Sequence, residues 1–130
     1  MIIKGLPKLS EILLESFIGS GTEFQGELNV KGIIRVDGHF DGKMNVGGLI
    51  LSETGVIKGE ILAKKIIIGG KVEGNLRGQE IVEIKSTGKV LGDIFTKRIS
   101  ITEGAKVNGK IEMKVDENRV IDFKSKEGEG

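Results

Sequence analysis

The sequence predicts an all-β fold in which short parallel strands coil into a β-helix of about six turns. A short apolar phrase containing a glycine recurs six times, with glycines 16, 17, 15, 18 and 17 residues apart. Around each glycine, apolar and polar residues alternate with the two-residue period of a strand. Units of this length bury their apolar faces only by stacking on neighbouring units, as a solenoid does. The recurring glycines are Gly26, Gly42, Gly59, Gly74, Gly92 and Gly109.

Each unit begins with the strand that carries the glycine. In the first unit, Phe24, Gly26, Leu28 and Val30 fall on the same phase of the alternation, which we assign to the inside of the coil. A glycine at this place in every unit predicts a corner, where the chain bends and a side chain would collide with the wall. The repeated glycines are therefore predicted to be structural.

A second apolar pair and a glycine-rich turn complete each unit. In the third unit the pair is Ile66 and Ile68, and the turn is Gly69-Gly70. Glycine supplies the positive φ that tight turns require. Each unit thus contains roughly three short strands, and like residues are expected to stack on neighbouring turns, as with Ile84 over Ile68.

Composition divides the chain into three parts. We expect an apolar, amphipathic N-terminal segment at residues 1–19, a β-helix polymerisation domain at residues 20–115 and a polar, disordered tail at residues 116–130. Before the coil, an apolar stripe at the i, i+3, i+4, i+8 spacing predicts an amphipathic helix. The stripe consists of Leu9, Ile12, Leu13 and Phe17.

Composition also argues against several classes of function. The formal net charge is +1, from 20 basic and 19 acidic residues, so no one-signed basic face for nucleic acid is expected. The chain has no cysteine and one histidine, His39, without a spaced set of metal ligands. We expect no metal and no cofactor. No apolar run approaches the ~20 residues of a membrane span, and no signal peptide is evident, so a cytoplasmic location is expected.

The enzyme class that comes nearest is that of the left-handed β-helix acyltransferases. They also stack short turns, and Ile18-Gly19 and Ile68-Gly69 are similar to part of their six-residue phrase. Here the spacing varies, and the phrase is not sustained. His39 lies in a turn on the outward phase, without the pocket or the orienting partner that a general base requires. We expect no enzymatic activity.

The two ends of the coil are the predicted functional surfaces. The edge of a sheet presents unpaired backbone groups and is a template for another strand. We expect the end turns to expose apolar side chains and to stack end to end on other copies of the chain. Alternatively, residues 9–17 and 118–123 cover the ends and leave a monomer. The candidate interface residues are Phe24, Leu28, Val30, Val107, Ile111 and Met113.

Three runs of this sequence resemble the bactofilins, bacterial polymer-forming cytoskeletal proteins. They are residues 18–28, residues 33–42 and the later phrase of residues 88–94. The resemblance covers roughly residues 18–113. It implies a right-handed, three-sided β-helix whose like ends meet, without nucleotide, in filaments that lack polarity. It also implies a scaffold for cell shape, cell-wall enzymes, membrane proteins and appendages.

The chain departs from that family at the last turn. The family commonly carries a phenylalanine there that polymerisation requires, whereas here the candidates are aliphatic and Phe95 lies one turn earlier. Family members often attach to the inner face of the membrane through a short apolar N-terminus, and residues 1–17 could serve in this way or could cap the coil. The rival interpretation is a binding scaffold that does not polymerise. The candidate membrane contacts are Ile2, Ile3, Leu6, Leu9, Ile12, Leu13 and Phe17.

Overall fold

The computed structural model describes residues 16–114, which form one sheet of parallel strands wound into a solenoid. No helix occurs within these residues, and the predicted all-β parallel β-helix is confirmed. The strands of this part of the chain are β1 (Ser16–Ile18), β2 (Glu23–Val36), β3 (His39–Leu51), β4 (Val56–Ile68), β5 (Lys71–Ile84), β6 (Lys89–Leu91), β7 (Ile94–Ile101), β8 (Lys106–Asn108) and β9 (Ile111–Met113).

The turns repeat three sides, which we name from the first full turn. Side A is residues 23–25, side B is residues 27–30 and side C is residues 33–36, with the corner glycine between sides A and B. The first four turns, β2 to β5, run through all three sides as long strands. Each turn pairs in register with the next, so that Gly26, Gly42, Gly59 and Gly74 stack in one column.

The core consists of columns of aliphatic side chains, one column for each inward position. On side B, Leu28, Met44 and Ile61 are stacked on successive turns and are all buried. The expected stack of Ile84 over Ile68 is confirmed by their register. On side A the column begins with two aromatic rings, since Phe24 and Phe40 stack with their centroids 5.3 Å apart. Stacked columns of this kind fill the interior with few aromatics because each residue packs against a similar one above and below.

The corner glycines are required by the backbone of the preceding turn. All six have positive φ, between 128° at Gly26 and 159° at Gly109, a region that side chains other than glycine rarely adopt. A β-carbon at Gly42 would also overlap the carbonyl oxygen of Gly26, and one at Gly59 would overlap that of Gly42. The collision that excludes a side chain at these positions is with the backbone of the preceding turn, and not with the inner wall as the sequence had suggested.

Hydroxyl groups link the turns at the corner that follows side C. Thr54 Oγ1 donates a hydrogen bond of 2.9 Å to the Asp37 carbonyl oxygen one turn earlier. The Asp37 carboxylate accepts a 3.0 Å hydrogen bond from Arg35 Nε. The Ser52 hydroxyl holds the pKa of the Asp37 carboxyl below its ordinary value; burial opposes this effect, and Arg35 adds a smaller lowering. The charged form of Asp37 is therefore favoured in the folded protein.

The solenoid begins earlier than the boundary at residue 20 that the sequence suggested. Strand β1 pairs with side C of the first turn, with Phe17 opposite Arg35 and Ile18 opposite Val36. Ile18 is buried in the core. The predicted helix therefore does not include Phe17, because this residue is extended and hydrogen-bonded within the sheet. The rest of that helix, the apolar N-terminal residues before Ser16 and the predicted tail lie outside the described residues.

Candidate polymer interface

The C-terminal end of the solenoid exposes side chains whose equivalents one turn earlier are buried. Ile111 stacks on Ile94, and Met113 stacks on Thr96. Ile94 and Thr96 are 1% and 0% exposed, whereas Ile111 and Met113 are 38% and 48% exposed. The positions are equivalent, so the difference arises because no further turn of the described chain covers the last one. This end presents the inside of the core to solvent.

Side C contributes a third residue to this surface. Ile101 stacks on Ile84 and is 46% exposed, whereas Ile84 is fully buried. Val107 on side A and Ala105 beside it are half-buried against the core. Sequence reasoning placed Val107, Ile111 and Met113 here but missed Ile101. The signal was present, because Ile101 is the last described member of the column that contains Ile68 and Ile84. We call this surface the C-terminal face: Ile101, Ala105, Val107, Ile111 and Met113.

The N-terminal end is less exposed than the sequence suggested. Phe24 and Val30 are half-buried, as expected for residues of a first turn. Leu28, however, is 1% exposed, so the prediction that it is exposed is wrong for the isolated chain. Its side chain points into the solenoid, lies in register with Met44 and belongs to the continuous core. Phe24 and Val30 remain the candidate contacts at this end.

The strands at the C-terminal end also present an open backbone edge. Among the described residues, β8 pairs only with β6, and β9 pairs only with β7. Their outer sides therefore carry N–H and C=O groups with no strand beyond them in residues 16–114. Such an edge is a template for another chain. Exposed apolar side chains and an open backbone edge thus lie together at this end of the described residues.

The sides of the solenoid carry open grooves and exposed charged residues. His39 is exposed on side A, next to Asp41. An open groove of about 320 Å³ crosses side B, where Glu27, Lys43 and Glu60 alternate in charge. Within residues 16–114 there is no group of three or more potential metal-ligating side chains. The same residues contain no helix long and apolar enough to cross a membrane.

Comparison with known proteins identifies the family. A family model described as bactofilin, polymer-forming cytoskeletal, matches residues 16–112. The chain is 34% identical over 87 residues to bactofilin BacP of Myxococcus xanthus, a match that spans 67% of this chain and 34% of BacP. It is 30% identical over 107 residues to bactofilin BacO of the same organism, covering 82% of this chain and 85% of BacO. The chain thus spans about a third of one relative and most of the other.

Solved structures agree with this assignment. The crystal structure of a phenylalanine-to-arginine mutant of Thermus thermophilus bactofilin superposes with a TM-score of 0.64 at 27% identity, covering 69% of this chain and all of that one. A cryo-EM reconstruction of double helical filaments of Thermus thermophilus bactofilin has a TM-score of 0.65 at 23% identity, covering 74% of this chain and 98% of that one. This chain therefore belongs to the bactofilin family of polymer-forming cytoskeletal proteins.

Proposed function

We propose that this protein assembles end to end, without nucleotide, into filaments that act as a scaffold at the inner face of the cell membrane. The proposal rests on the difference in side-chain exposure between the last turn and the turn before it. Ile101, Ile111 and Met113 are exposed at positions whose equivalents one turn earlier are buried. Burying a large aliphatic side chain stabilises a contact by ~1.5–3 kcal/mol. Joining two such ends would bury these side chains in one continuous core.

Like ends meet in the arrangement that we propose. A two-fold axis across the filament brings two C-terminal faces together, so that the aliphatic residues of one copy cover those of the other. Phe24 and Val30 form the corresponding contact between two N-terminal ends, where less apolar surface is exposed. Alternation of the two contacts gives a filament without polarity. The solenoid, proposed as residues 20–115 and extended by β1, is the polymerisation domain.

Membrane contact is assigned to the segment that precedes β1. Residues 1–15 include Ile2, Ile3, Leu6, Leu9, Ile12 and Leu13, and apolar residues of this kind insert at the boundary of headgroups and acyl chains. A filament presents many copies of the segment, so weak individual contacts add up to firm binding. Such a filament on the cytoplasmic face would organise cell-wall enzymes or other membrane proteins and so contribute to cell shape.

Electron microscopy and sedimentation of the purified protein in nucleotide-free buffer test the proposal. We expect filaments whose width matches one solenoid or a small multiple of it, and a pelleted fraction that added ATP or GTP does not change. Particles of monomer size alone would overturn the proposal and favour a binding scaffold that does not polymerise. Dependence of assembly on nucleotide would also contradict it.

A further inference from the structure

The C-terminal end of the described solenoid has a step on side C. Sides A and B continue into the sixth turn as β8 and β9, whereas the last described strand on side C is β7 of the fifth turn. Strand β9 pairs with β7 only as far as Thr96. The outer edge of β7 beyond Thr96 therefore has no strand on it within residues 16–114. The step is one turn high, ~4.8 Å.

The floor of this step is apolar, and its backbone groups are open. Ile101 stacks on Ile84 and is 46% exposed, whereas Ile84 is fully buried. Ile99 stacks in the same way on the buried Val82. The Thr102 amide donates to the Ile84 carbonyl oxygen one turn earlier. Because N–H and C=O groups alternate between the two edges of a strand, those of Ile99 and Ile101 face the open edge.

Direct continuation of the chain does not fill the step. Extending the register of β7 and β9 places Asp116 opposite Ile99 and Asn118 opposite Ile101. A carboxylate and an amide would then lie on two columns of the apolar core, without partners, which is costly. Strand β9 ends at Met113, before these residues. A strand that fills side C of the sixth turn must begin later in the chain.

Residues 121–124 have the pattern that the step requires. They repeat an order of residue types found on side C of the fourth turn, in which an apolar, an acidic, an apolar and a basic residue follow one another. In the fourth turn the two apolar residues are buried, and the charged ones pair at 3.3 Å on the outer face. The fourth-turn residues are Val82, Glu83, Ile84 and Lys85, and the later ones are Ile121, Asp122, Phe123 and Lys124.

We propose that residues 119–123 pair with β7 as the side C strand of the sixth turn. Ile121 then lies over Ile99, and Phe123 lies over Ile101. The two inward side chains cover the apolar floor, and the backbone of the segment supplies partners for the open N–H and C=O groups. Each strand of the solenoid is stabilised in this way by the next turn.

The chain that leaves β9 can reach this position. Strand β9 ends on side B of the sixth turn, directly beside the step. In the fifth turn, residues 97–98 carry the chain from side B to side C. Residues 114–118 make the same passage in the sixth turn as a longer loop, and lengthening a surface loop costs little. The occupant of the step is therefore the same chain and not a second copy.

The added strand makes the C-terminal end level. Sides A and B already end on the sixth turn with Val107, Ile111 and Met113, and Phe123 ends side C at the same height. All three sides then present apolar residues to a second copy, a consequence that rests on the proposed function. The contact between residues 119–123 and β7 lies within one chain, so it is tested without assembly.

Disulfide formation tests the register, since the chain has no cysteine of its own. In Ser100→Cys with Asp122→Cys, the two residues are outward neighbours whose α-carbons lie ~4.8 Å apart, a distance that a disulfide spans. Ser100→Cys with Glu117→Cys is the matched control, because those residues would be neighbours if the strand continued directly. We expect the first pair to close within one chain at least ~10-fold faster under mild oxidation, since pairing raises its effective concentration.

Two results of that experiment would overturn the proposal. Equal rates, or faster closure of the control pair, would show that residues 119–123 do not hold this register. Disulfides formed only between chains, seen at twice the monomer mass on a non-reducing gel, would assign the step to a second copy. Absence of filaments in any of these samples would bear on end-to-end assembly alone.

Hydrogen exchange tests the cover on β7. The measurement uses chains that also carry Ile111→Arg, which blocks contact between C-terminal faces, and follows deuterium uptake at Ile99 and Ile101. We expect Ile121→Asp to raise uptake by about two deuterons, one for each amide. Val120→Asp is the matched control, because Val120 points outward in the proposed strand, and it should keep the protection. Equal uptake with and without Ile121→Asp, or loss of protection in both variants, would overturn the proposed strand.

Discussion

The α-carbon of Gly42 lies against the carbonyl oxygen of Gly26, so that a β-carbon at residue 42 would overlap that oxygen. The same relationship joins every later corner glycine to the one before it. Since each of these residues also has positive φ, two independent costs exclude a side chain. The column of glycines thus sets how closely successive turns approach at this corner.

A substitution in the middle of this column should weaken the whole solenoid. In Gly59→Ala, the new alanine is strained at a φ of 130°, which costs ~1–3 kcal/mol. Its β-carbon also forces the backbone away from Gly42. We expect a loss of unfolding free energy of more than ~3 kcal/mol, at the upper end of what single substitutions cost. Thermal unfolding followed by circular dichroism measures it.

Gly26→Ala is the matched control for that prediction. Gly26 has nearly the same φ, 128°, but the nearest heavy atom to an added β-carbon is the Phe24 ring at 4.0 Å. We therefore expect Gly26→Ala to cost only the dihedral strain, ~1–3 kcal/mol. Equal losses in the two variants would contradict the role that we give to the overlap with the preceding turn.

Charge placed at the two ends should reveal which ends meet. Ile111 faces the open end, so Ile111→Arg would bury an unpaired charge in a contact between C-terminal faces. If like ends meet, Ile111→Arg stops at dimers joined through their N-terminal ends, and Phe24→Arg stops at dimers joined through their C-terminal faces. The double variant should be monomeric. Sedimentation velocity gives these masses.

If unlike ends met instead, Ile111→Arg and Phe24→Arg would each be monomeric. Sedimentation velocity would then give the monomer mass for both variants. The control is Glu112→Arg, since Glu112 lies beside Ile111 on β9 but on the outward phase. It should form filaments like the wild type. Unchanged circular dichroism is required in every case, because an unfolded variant would also fail to assemble.

The fold was predictable because its determinants are local and repeated. The six glycine motifs and the alternation around them predict the register that β2, β3, β4 and β5 adopt. Exposure at the ends was less predictable, since it depends on what each turn packs against. Leu28 and Ile111 occupy the same column, yet the first is buried and the second exposed. Sequence alone treats them alike.

The recurrence of lysine at one corner was also hidden in the sequence. A net charge of +1 argued against a one-signed basic face, yet Lys31, Lys64 and Lys97, one on every second turn, fall at one corner of the solenoid. Their spacing of 33 residues follows from the numbering and equals about two turns. The pattern emerges only when the register is known, because the irregular turn lengths change which residues share a corner.

The start of the sheet defines which truncation tests membrane contact. Ile18 is 2% exposed and β1 pairs with side C, so removal of residues 1–15 leaves the described solenoid intact. We expect this truncation to polymerise normally and to lose binding to phospholipid vesicles in a flotation assay. Truncation of residues 1–18 is the comparison, because it should also lower the thermal midpoint. Vesicle binding that survives removal of residues 1–15 would contradict the assignment of the lipid contact.

The corner at Asp37 should make stability depend on pH in a defined direction. Its pKa is lowered in the folded state, mainly by the Ser52 hydroxyl and then by Arg35. The stabilisation is therefore present above the unfolded pKa of ~3.9 and is lost as the pH falls through the folded value.

Asp37→Asn should lower the thermal midpoint at neutral pH by an amount equivalent to less than ~1 kcal/mol, because the ion pair is partly exposed. The difference from the wild type should shrink as the pH falls below the unfolded pKa of Asp37, whereas the exposed Asp41→Asn should change the thermal midpoint little. A difference that grows on acidification would mean that the charged form of Asp37 is not the stabilising one.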